Sequence, residues 1–450
     1  MPRMPLSPAS APDCLPHFPP QPAQRPDTAA SWPRRMSRAL RSLAVLSVLA
    51  APALMAIGCG SESPPKDNIA DFAAPPAGEG VQYRMLTTLD PGQEIERCQF
   101  FVAPPEGLNI NHDLVKYTPG SHHVLLYMTP YKQIPTQDIH KKTRDTSTIM
   151  DCPEGATGDW EISNVIAGAQ TFDGGSMVNF PPDTAVKVPG GTVLLMNAHY
   201  LNASAKSLTA EVRLNVYTIP TSAMKNEGGL LFYYNPFIHV PAMSKASARM
   251  SCKVTTDITL TNVQSHMHKR GMNYQADLRD EKGGMLQTLY TNTEWENVPV
   301  KSFEPGLAIK KGSQLDYRCD YQNREDHDIS QGPSTKDEMC MLIGSYYPHT
   351  PETGFCFQRT FIGTGTNTCG QAYSCALLAG ASSDQGAFFG CIVESCPAVA
   401  PQLTEAISCF FSRGGNACRD ACKTPTDAKC QECVTQSCQP AISACQAAPC

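Results

Sequence analysis

The chain has 450 residues and a formal net charge of −6, a balance that gives no reason to expect nucleic acid or an anionic membrane surface as a partner. With 17% charged residues, 32 glycines and 38 prolines, the composition is more typical of a loop-rich β protein than of a helical one. The length favours two or three domains.

The 20 cysteines exclude an ordinary cytosolic protein unless they bind metal. No pair of Cys-x2-Cys motifs with zinc-finger spacing accompanies them. Disulfides formed in an oxidising compartment are therefore the favoured interpretation.

The first part of the chain is not expected to belong to the fold. Residues 1–35 contain ten prolines and no periodicity, which predicts either a disordered extension or a start site upstream of the real Met36. Residues 36–59 then combine two arginines, an apolar run and the small residues AIGC. This is the layout of a bacterial lipoprotein signal, with Cys59 as the lipidated residue.

An ordinary signal peptide cleaved nearby is the alternative to lipidation. A transmembrane anchor is less favoured, because Pro52 interrupts an apolar run that is short for a bilayer. We therefore expect an exported chain, either an outer-membrane or cell-surface lipoprotein or a periplasmic or secreted protein. Any membrane contact would be made through the lipid at Cys59.

Short β-like runs dominate the middle of the chain. Residues 60–80 are small, polar and rich in proline and glycine, and indicate a linker. From 81 to 365, apolar runs such as HVLLYM and TVLLMNA alternate with turn signals. We predict two tandem antiparallel, jelly-roll-like β-sandwiches, over 81–219 and 220–365.

The composition changes near residue 366. Residues 366–450 hold 12 of the 20 cysteines and little apolar bulk. Because such a segment needs cross-links, we predict a separate small, disulfide-rich and helical domain. Zinc binding is less favoured there, since the segment contains no histidine.

Five histidines fall in three short motifs. His266 and His268 form a His-x-His pair, and residues two apart in a strand share one face, so both imidazoles could reach one metal. His122 and His123 are adjacent and need a bend to share a metal, which the preceding Pro-Gly turn could supply. His199 follows the TVLLMNA run. Each motif alone is more often a surface or structural feature than a metal site, and Met339 alone would be read as core filler.

Taken together, the order and spacing of four motifs resemble the copper type II, ascorbate-dependent monooxygenases, the family of peptidylglycine α-hydroxylating monooxygenase and dopamine β-monooxygenase. The motifs are GSHHVLLYM, LLMNAHYLN, SHMHKRG and DEMCMLIGSYYP. The resemblance spans residues 81–365. It implies two sandwiches that face each other across a solvent-filled cleft, each with one copper, so two coppers per chain.

Carried over by the resemblance, one copper is an electron-transfer site held by His122, His123 and His199. The catalytic copper, where O2 and substrate meet, is held by His266, His268 and Met339. A thioether is soft and favours Cu(I), which suits a site that binds O2 and argues against zinc.

The resemblance also implies three disulfides and one difference in substrate. The pairs are Cys98 with Cys152, Cys252 with Cys356, and Cys319 with Cys340; the tail cysteines should pair among themselves. Peptide-amidating members bind the substrate carboxylate through an arginine, an asparagine and a tyrosine, whose positions here hold Gln264, Met341 and Ile343. Arg270 could compensate, although within the His266 strand it need not point at the same region. A pocket lined by Met341 and Ile343 would prefer a neutral or apolar group.

We therefore expect an oxidoreductase that hydroxylates a C–H bond of a small organic substrate with O2 and an electron donor such as ascorbate. A non-catalytic copper-binding surface lipoprotein is the alternative. A third possibility is a structural or adhesive protein whose tail is the interaction module.

Overall fold

The fold is given by a computed structural model, which describes residues 69, 71–153, 155–171, 173–356, 358–381, 385–412, 414–422 and 428–450. The predicted extension at 1–35, the signal at 36–59 with Cys59, and linker residues 60–68 and 70 lie outside these residues, and lipidation of Cys59 stays a prediction. Within the described residues, no helix combines the length and the apolar character needed to cross a membrane.

The first sandwich is built from strands whose inward residues are buried, as the alternation predicts. In β1 (Gly80–Leu89), Tyr83, Met85 and Leu89 face the core and are nearly fully buried. The remaining strands are β2 (Glu94–Val102), β3 (Leu108–Tyr117), β4 (Ser121–Met128), β5 (Met150–Asp151), β6 (Asn164–Ala169), β7 (Asp173–Gly175), β8 (Thr184–Val188), β9 (Val193–Leu201), β10 (Leu208–Thr218) and β11 (Asn226–Glu227), with a short helix α1 (Ala156–Asp159).

Two sheets face each other in the first sandwich. One has the order β1-β10-β3-β8-β11, with β7 also paired to β3, and the other has the order β5-β2-β9-β4-β6. The strand β11 pairs with β8, so the chain stays in the first sandwich until Gly228. The passage to the second sandwich thus falls after the stretch Ile219–Ser222, where the sequence suggested a seam.

The second sandwich repeats this arrangement. Its strands are β12 (Gly229–Tyr234), β13 (His239–Val240), β14 (Lys245–Lys253), β15 (Ile258–His266), β16 (Gly271–Arg279), β17 (Met285–Asn292), β18 (Lys301–Ile309), β19 (Gln314–Gln322), β20 (Ile329–Ser330), β21 (Met341–Tyr347) and β22 (Arg359–Ile362), with a short helix α2 (Pro351–Gly354). The sheet β12-β21-β15-β18 packs on the sheet β17-β16-β19-β14-β22, and β13 pairs with β20. The chain is therefore mainly β, with two tandem sandwiches, as predicted.

The sequence after residue 366 folds into four helices and two short 3-10 turns, which together form the helical tail. The helices are α3 (Cys369–Ala381), α4 (Gln385–Val393), α5 (Ala400–Phe411) and α6 (Ala428–Ala447). The predicted helical, disulfide-rich character is confirmed. The helical tail is packed on the second sandwich: Phe237 contacts Phe389 of α4 at a ring-centroid distance of 5.6 Å. One continuous apolar core runs through both.

Nine disulfides cross-link the described residues, as is typical of a protein that folds in an oxidising compartment. Three lie in the sandwiches and are the pairs that the resemblance implies: Cys98–Cys152, Cys252–Cys356 and Cys319–Cys340. The other six join tail cysteines to one another: Cys369–Cys445, Cys375–Cys391, Cys396–Cys450, Cys409–Cys438, Cys418–Cys433 and Cys422–Cys430.

Candidate metal centre

Neighbouring strands of the first sandwich bring three histidines together. His123 on β4 lies directly opposite His199 on β9, and the register shifts between Ser121 and His123. This β-bulge is the bend that the adjacent pair needs, because it lets His122 and His123 serve one cluster. One nitrogen from each of the three rings lies within 4.8 Å of the others.

Hydrogen bonds prepare this triad for a ligand. Nε2 of His199 lies 3.0 Å from Oε1 of Glu94. A carboxylate only accepts, so Nε2 carries a proton and Nδ1 is the nitrogen left to face a metal. That Nδ1 is buried and has no hydrogen-bond partner among the described residues, and the same holds for Nε2 of His122. Buried imidazole nitrogens without partners are what a metal site presents.

The pair His266 and His268 is not arranged as predicted. His266 is the last residue of β15, but His268 lies beyond the strand, so the two do not share a strand face. A turn closed by the Gly271 N–H and the His268 carbonyl brings His268 back. The rings of His266 and His268 end with centroids 5.2 Å apart.

Met339 stands just before β21, whose first residue, Met341, lies opposite His266. The carbonyl of Met339 accepts a hydrogen bond of 2.7 Å from the Tyr321 hydroxyl, and the next residue is fixed by the Cys319–Cys340 disulfide. The half-buried Met339 side chain packs against the core of the first sandwich.

All five histidines form one group, which we call the imidazole cluster: His122, His123, His199, His266 and His268. The centroids of the His123 and His266 rings are 5.7 Å apart, although they belong to different sandwiches. The expected solvent-filled cleft is therefore wrong for this structure. The physical reason is apolar packing, since Leu230, Met341 and Ile343 of the second sandwich are buried in the core of the first.

The two apolar residues expected to line a substrate pocket are thus part of the interface. Met341 and Ile343 are 5% and 2% exposed. Gln264 is also buried there, and its Oε1 accepts a hydrogen bond of 3.0 Å from the Gln170 side chain. The prediction of a pocket lined by Met341 and Ile343 is wrong for this structure, because both pack against the first sandwich.

Arg270 does not continue the His266 strand but lies in the turn after it. Its guanidinium is 2.7 Å from the Glu325 carboxylate and 3.8 Å from that of Glu338, and it donates to the Thr335 carbonyl at 3.2 Å. The side chain is 4% exposed. The guanidinium of Arg270 therefore makes its ion pairs and hydrogen bonds with other residues of the protein.

Burial keeps four of the five imidazoles neutral. It lowers the pKa of His122 to about 3 and that of His268 to about 4, and it lowers the pKa of His123 and of His266 well below the usual value. Neighbouring imidazoles add to the effect by repelling a second positive charge. Neutral rings are the form that binds metal.

His199 is the exception, because burial lowers its pKa but the Glu94 hydrogen bond and the charge of Glu96 more than offset this and raise it. Burial opposes ionisation of Glu94 too, yet hydrogen bonds from His199 and Thr335 lower its pKa to about 2. The donor set fits copper, which accepts imidazole and thioether ligands. The thioether is that of Met339, between Asp337 and Met341, which lie beside His268 and His266.

Five residues around the imidazole cluster were not found from the sequence: Glu94, Glu96, Gln170, Trp295 and Glu338. Trp295 of the second sandwich lies over His122, with ring centroids 5.3 Å apart. Glu338 had a local signal, since it precedes Met339 directly in the chain. Gln170 and Trp295 had no such local signal in the sequence, because each contacts a histidine of the other sandwich.

Comparison with known proteins places the second sandwich in a family. Residues 229–365 match the copper type II ascorbate-dependent monooxygenase, C-terminal domain. No curated protein matches the chain. Among solved structures, a peptide-N(4)-(N-acetyl-β-D-glucosaminyl) asparagine amidase is 8% identical, covering 59% of this chain and 94% of that one, with a TM-score of 0.26.

The major capsid protein P2 of bacteriophage PM2 is also 8% identical, covering 59% of this chain and 97% of that one, with a TM-score of 0.25. Similarity at these scores carries no conclusion about this chain. The family match covers the strand that ends in His266, the turn with His268, and Met339. Residues 229–365 are therefore similar to the C-terminal domain of the copper type II ascorbate-dependent monooxygenases.

Proposed function

We propose that the chain is an exported copper-dependent monooxygenase that hydroxylates a C–H bond of a small organic substrate. In the overall reaction, R–H, O2, two electrons and two protons give R–OH and water, with the electrons from a donor such as ascorbate. The observation that carries the proposal is the imidazole cluster, in which His266 and His268 of the second sandwich lie beside three histidines of the first.

The roles of the chain's residues follow from their surroundings. His122, His123 and His199 would hold one copper, and His266, His268 and Met339 would hold the other. Copper, when bound, supplies one-electron redox chemistry with O2. The protein keeps four of the five imidazoles neutral by burial, orients His199 through Glu94, and excludes water by the apolar packing of Met341 and Ile343.

The first test is the copper content of the mature chain. After reconstitution with copper and removal of excess metal, we expect close to two coppers per chain, because two ligand sets are present. The substitution His199→Ala should lower the value toward one. The matched control His327→Ala removes an imidazole that is 62% exposed and should leave two. A reproducible value of one in the wild type, or zinc alone, would contradict the two-site proposal.

A non-catalytic copper protein is the second candidate, and the burial of Met341 and Ile343 in the interface favours it. Such a protein would bind copper and consume no O2 with substrate. Ascorbate-driven oxygen uptake with a panel of small amines, phenols and peptides separates the two candidates.

A C-terminally glycine-extended peptide is not expected to be a substrate. Its carboxylate would need charge-assisted hydrogen bonds, and a buried group left without them costs about 1–3 kcal/mol or more. Gln264 is neutral, Met341 and Ile343 are apolar and buried, and Arg270 is bound to Glu325 and Glu338.

An acylated Tyr-Val-Gly-type peptide should therefore be neither hydroxylated nor inhibitory at millimolar concentration. Product analysis by mass spectrometry measures this. Efficient conversion of the peptide would show that Arg270 leaves its carboxylate partners to bind substrate.

A further inference from the structure

Gln170 is a buried side chain of the first sandwich that reaches across to the second. It lies just after β6 and is 4% exposed. Its Nε2 donates hydrogen bonds of 3.0 Å to Oε1 of Gln264 and of 3.0 Å to the carbonyl of Ser265. Its Oε1 contacts Nδ1 of His266. One amide therefore joins three consecutive residues that end in a metal-ligating histidine.

The partners fix which way this amide points. A backbone carbonyl can only accept, so the group of Gln170 that faces the Ser265 carbonyl must be the NH2 group. The oxygen of the amide then faces His266. Because that oxygen can only accept, Nδ1 of His266 must carry the ring proton, which leaves the lone pair on Nε2.

His268 has the same tautomer as His266 but a different hydrogen-bond partner. Its Nδ1 lies 3.0 Å from the backbone carbonyl of Asp337, which again requires the proton on Nδ1. Both rings of the His-x-His pair thus offer Nε2. For His268 the partner is backbone of its own sandwich, whereas for His266 it is a side chain of the other sandwich.

The segment that carries Gln170 is held on both sides. Asp113 accepts hydrogen bonds from the backbone N–H groups of Gly168 at 2.7 Å and of Met177 at 2.9 Å. A side chain on so constrained a segment can hold its partner in a fixed orientation.

We infer that Gln170 is a positioning residue for His266, setting its tautomer and ring orientation so that Nε2 is offered to copper at the site of His266, His268 and Met339. The inference rests on the proposed function and names a residue of the first sandwich as a determinant of the metal site in the second. It also makes the copper affinity of that site depend on the contact between the two sandwiches.

The test measures the tautomer directly. In the full mature chain labelled with ¹⁵N-histidine, long-range ¹H–¹⁵N spectra distinguish a protonated ring nitrogen from one with a free lone pair, with His266 assigned from the signal lost in His266→Gln. We expect Nδ1 of His266 to be protonated in the copper-free wild type. Gln170→Met, which keeps the volume and removes the amide, should give a mixture of tautomers.

Copper affinity supplies the second measurement. With Cu(I) chelator competition, Gln170→Met should weaken one of the two sites by about 10- to 100-fold, the usual effect of removing a partner of a ligand. The matched control is Thr171→Val, which removes a neighbouring hydrogen bond between the sandwiches without touching a histidine. It should retain the wild-type tautomer and affinity.

Three results would overturn the inference: a wild-type His266 protonated on Nε2, a Gln170→Met variant with unchanged tautomer and affinity, or an equal loss in Thr171→Val. The wild-type spectrum decides the first even if the variant fails to fold. A chain with the expected tautomer that binds no copper, or that binds it without consuming O2, would instead contradict the proposed function.

Discussion

Met339→Ala is expected to abolish hydroxylation while leaving close to two coppers per chain. Thioether sulfur is a weak ligand for Cu(II) and a soft one that favours Cu(I), so its loss affects the redox chemistry more than the metal content. Removing an outer partner of a metal ligand already costs about 10- to 100-fold in activity, and removal of a ligand should cost more than about 100-fold.

His266→Ala is expected to behave differently from Met339→Ala, losing both turnover and about one copper. The imidazole contributes most of the affinity, and its removal leaves His268 as the only histidine of that site. Metal analysis and ascorbate-driven oxygen uptake on the same samples separate the two outcomes. Met243→Ala, at a methionine that is 72% exposed, is the control and should retain both. Wild-type activity in Met339→Ala would show that the methionine has been wrongly assigned.

Local patterns were sufficient for the strands and for the residues that each motif contributes. The runs HVLLYM and TVLLMNA became β4 and β9, neighbours whose register sets His123 opposite His199. Strand periodicity failed at His268, because the chain leaves β15 at His266 and the turn beyond it is held by contacts with a distant segment.

The closeness of the two ligand sets was not accessible from the sequence. It depends on Met341 and Ile343 packing into the core of the other sandwich, and on single long-range bonds such as that between Glu94 and Thr335 at 2.8 Å. An apolar residue on a strand gives the same sequence pattern whether it lines a pocket or packs in an interface. The sequence therefore pointed to the candidate ligands, while side-chain packing decided how far apart they lie.

Glu338 explains how the turn with His268 is kept beside Met339. Its carboxylate is 0% exposed and accepts hydrogen bonds from the backbone N–H groups of His268 at 2.9 Å and of Arg270 at 2.8 Å. Burial raises the pKa of Glu338 to about 7, while these N–H groups and the Arg270 guanidinium favour the charged form. The Glu338 side chain therefore connects the His-x-His turn to the chain segment that carries Met339.

Glu338→Ala is expected to destabilise the copper-free protein by about 1–3 kcal/mol for each of the two buried N–H groups that lose their partner, while Arg270 keeps its ion pair with Glu325. It should also lose about one copper, because His268 is released. Urea unfolding and metal analysis measure the two effects.

Glu325→Ala is the matched control for Glu338→Ala, because Glu325 is the other carboxylate that binds Arg270 but is 33% exposed. Solvent screens that pair, so its loss should cost at most about 1 kcal/mol and leave both coppers. If Glu338→Ala does not fold, Glu338→Gln serves in its place, since the amide oxygen still accepts from one N–H group while its NH2 faces the other. Should the Glu338 variants lose no more stability and no more copper than Glu325→Ala, the turn would be held by its backbone alone, and the carboxylate would have no part in positioning His268.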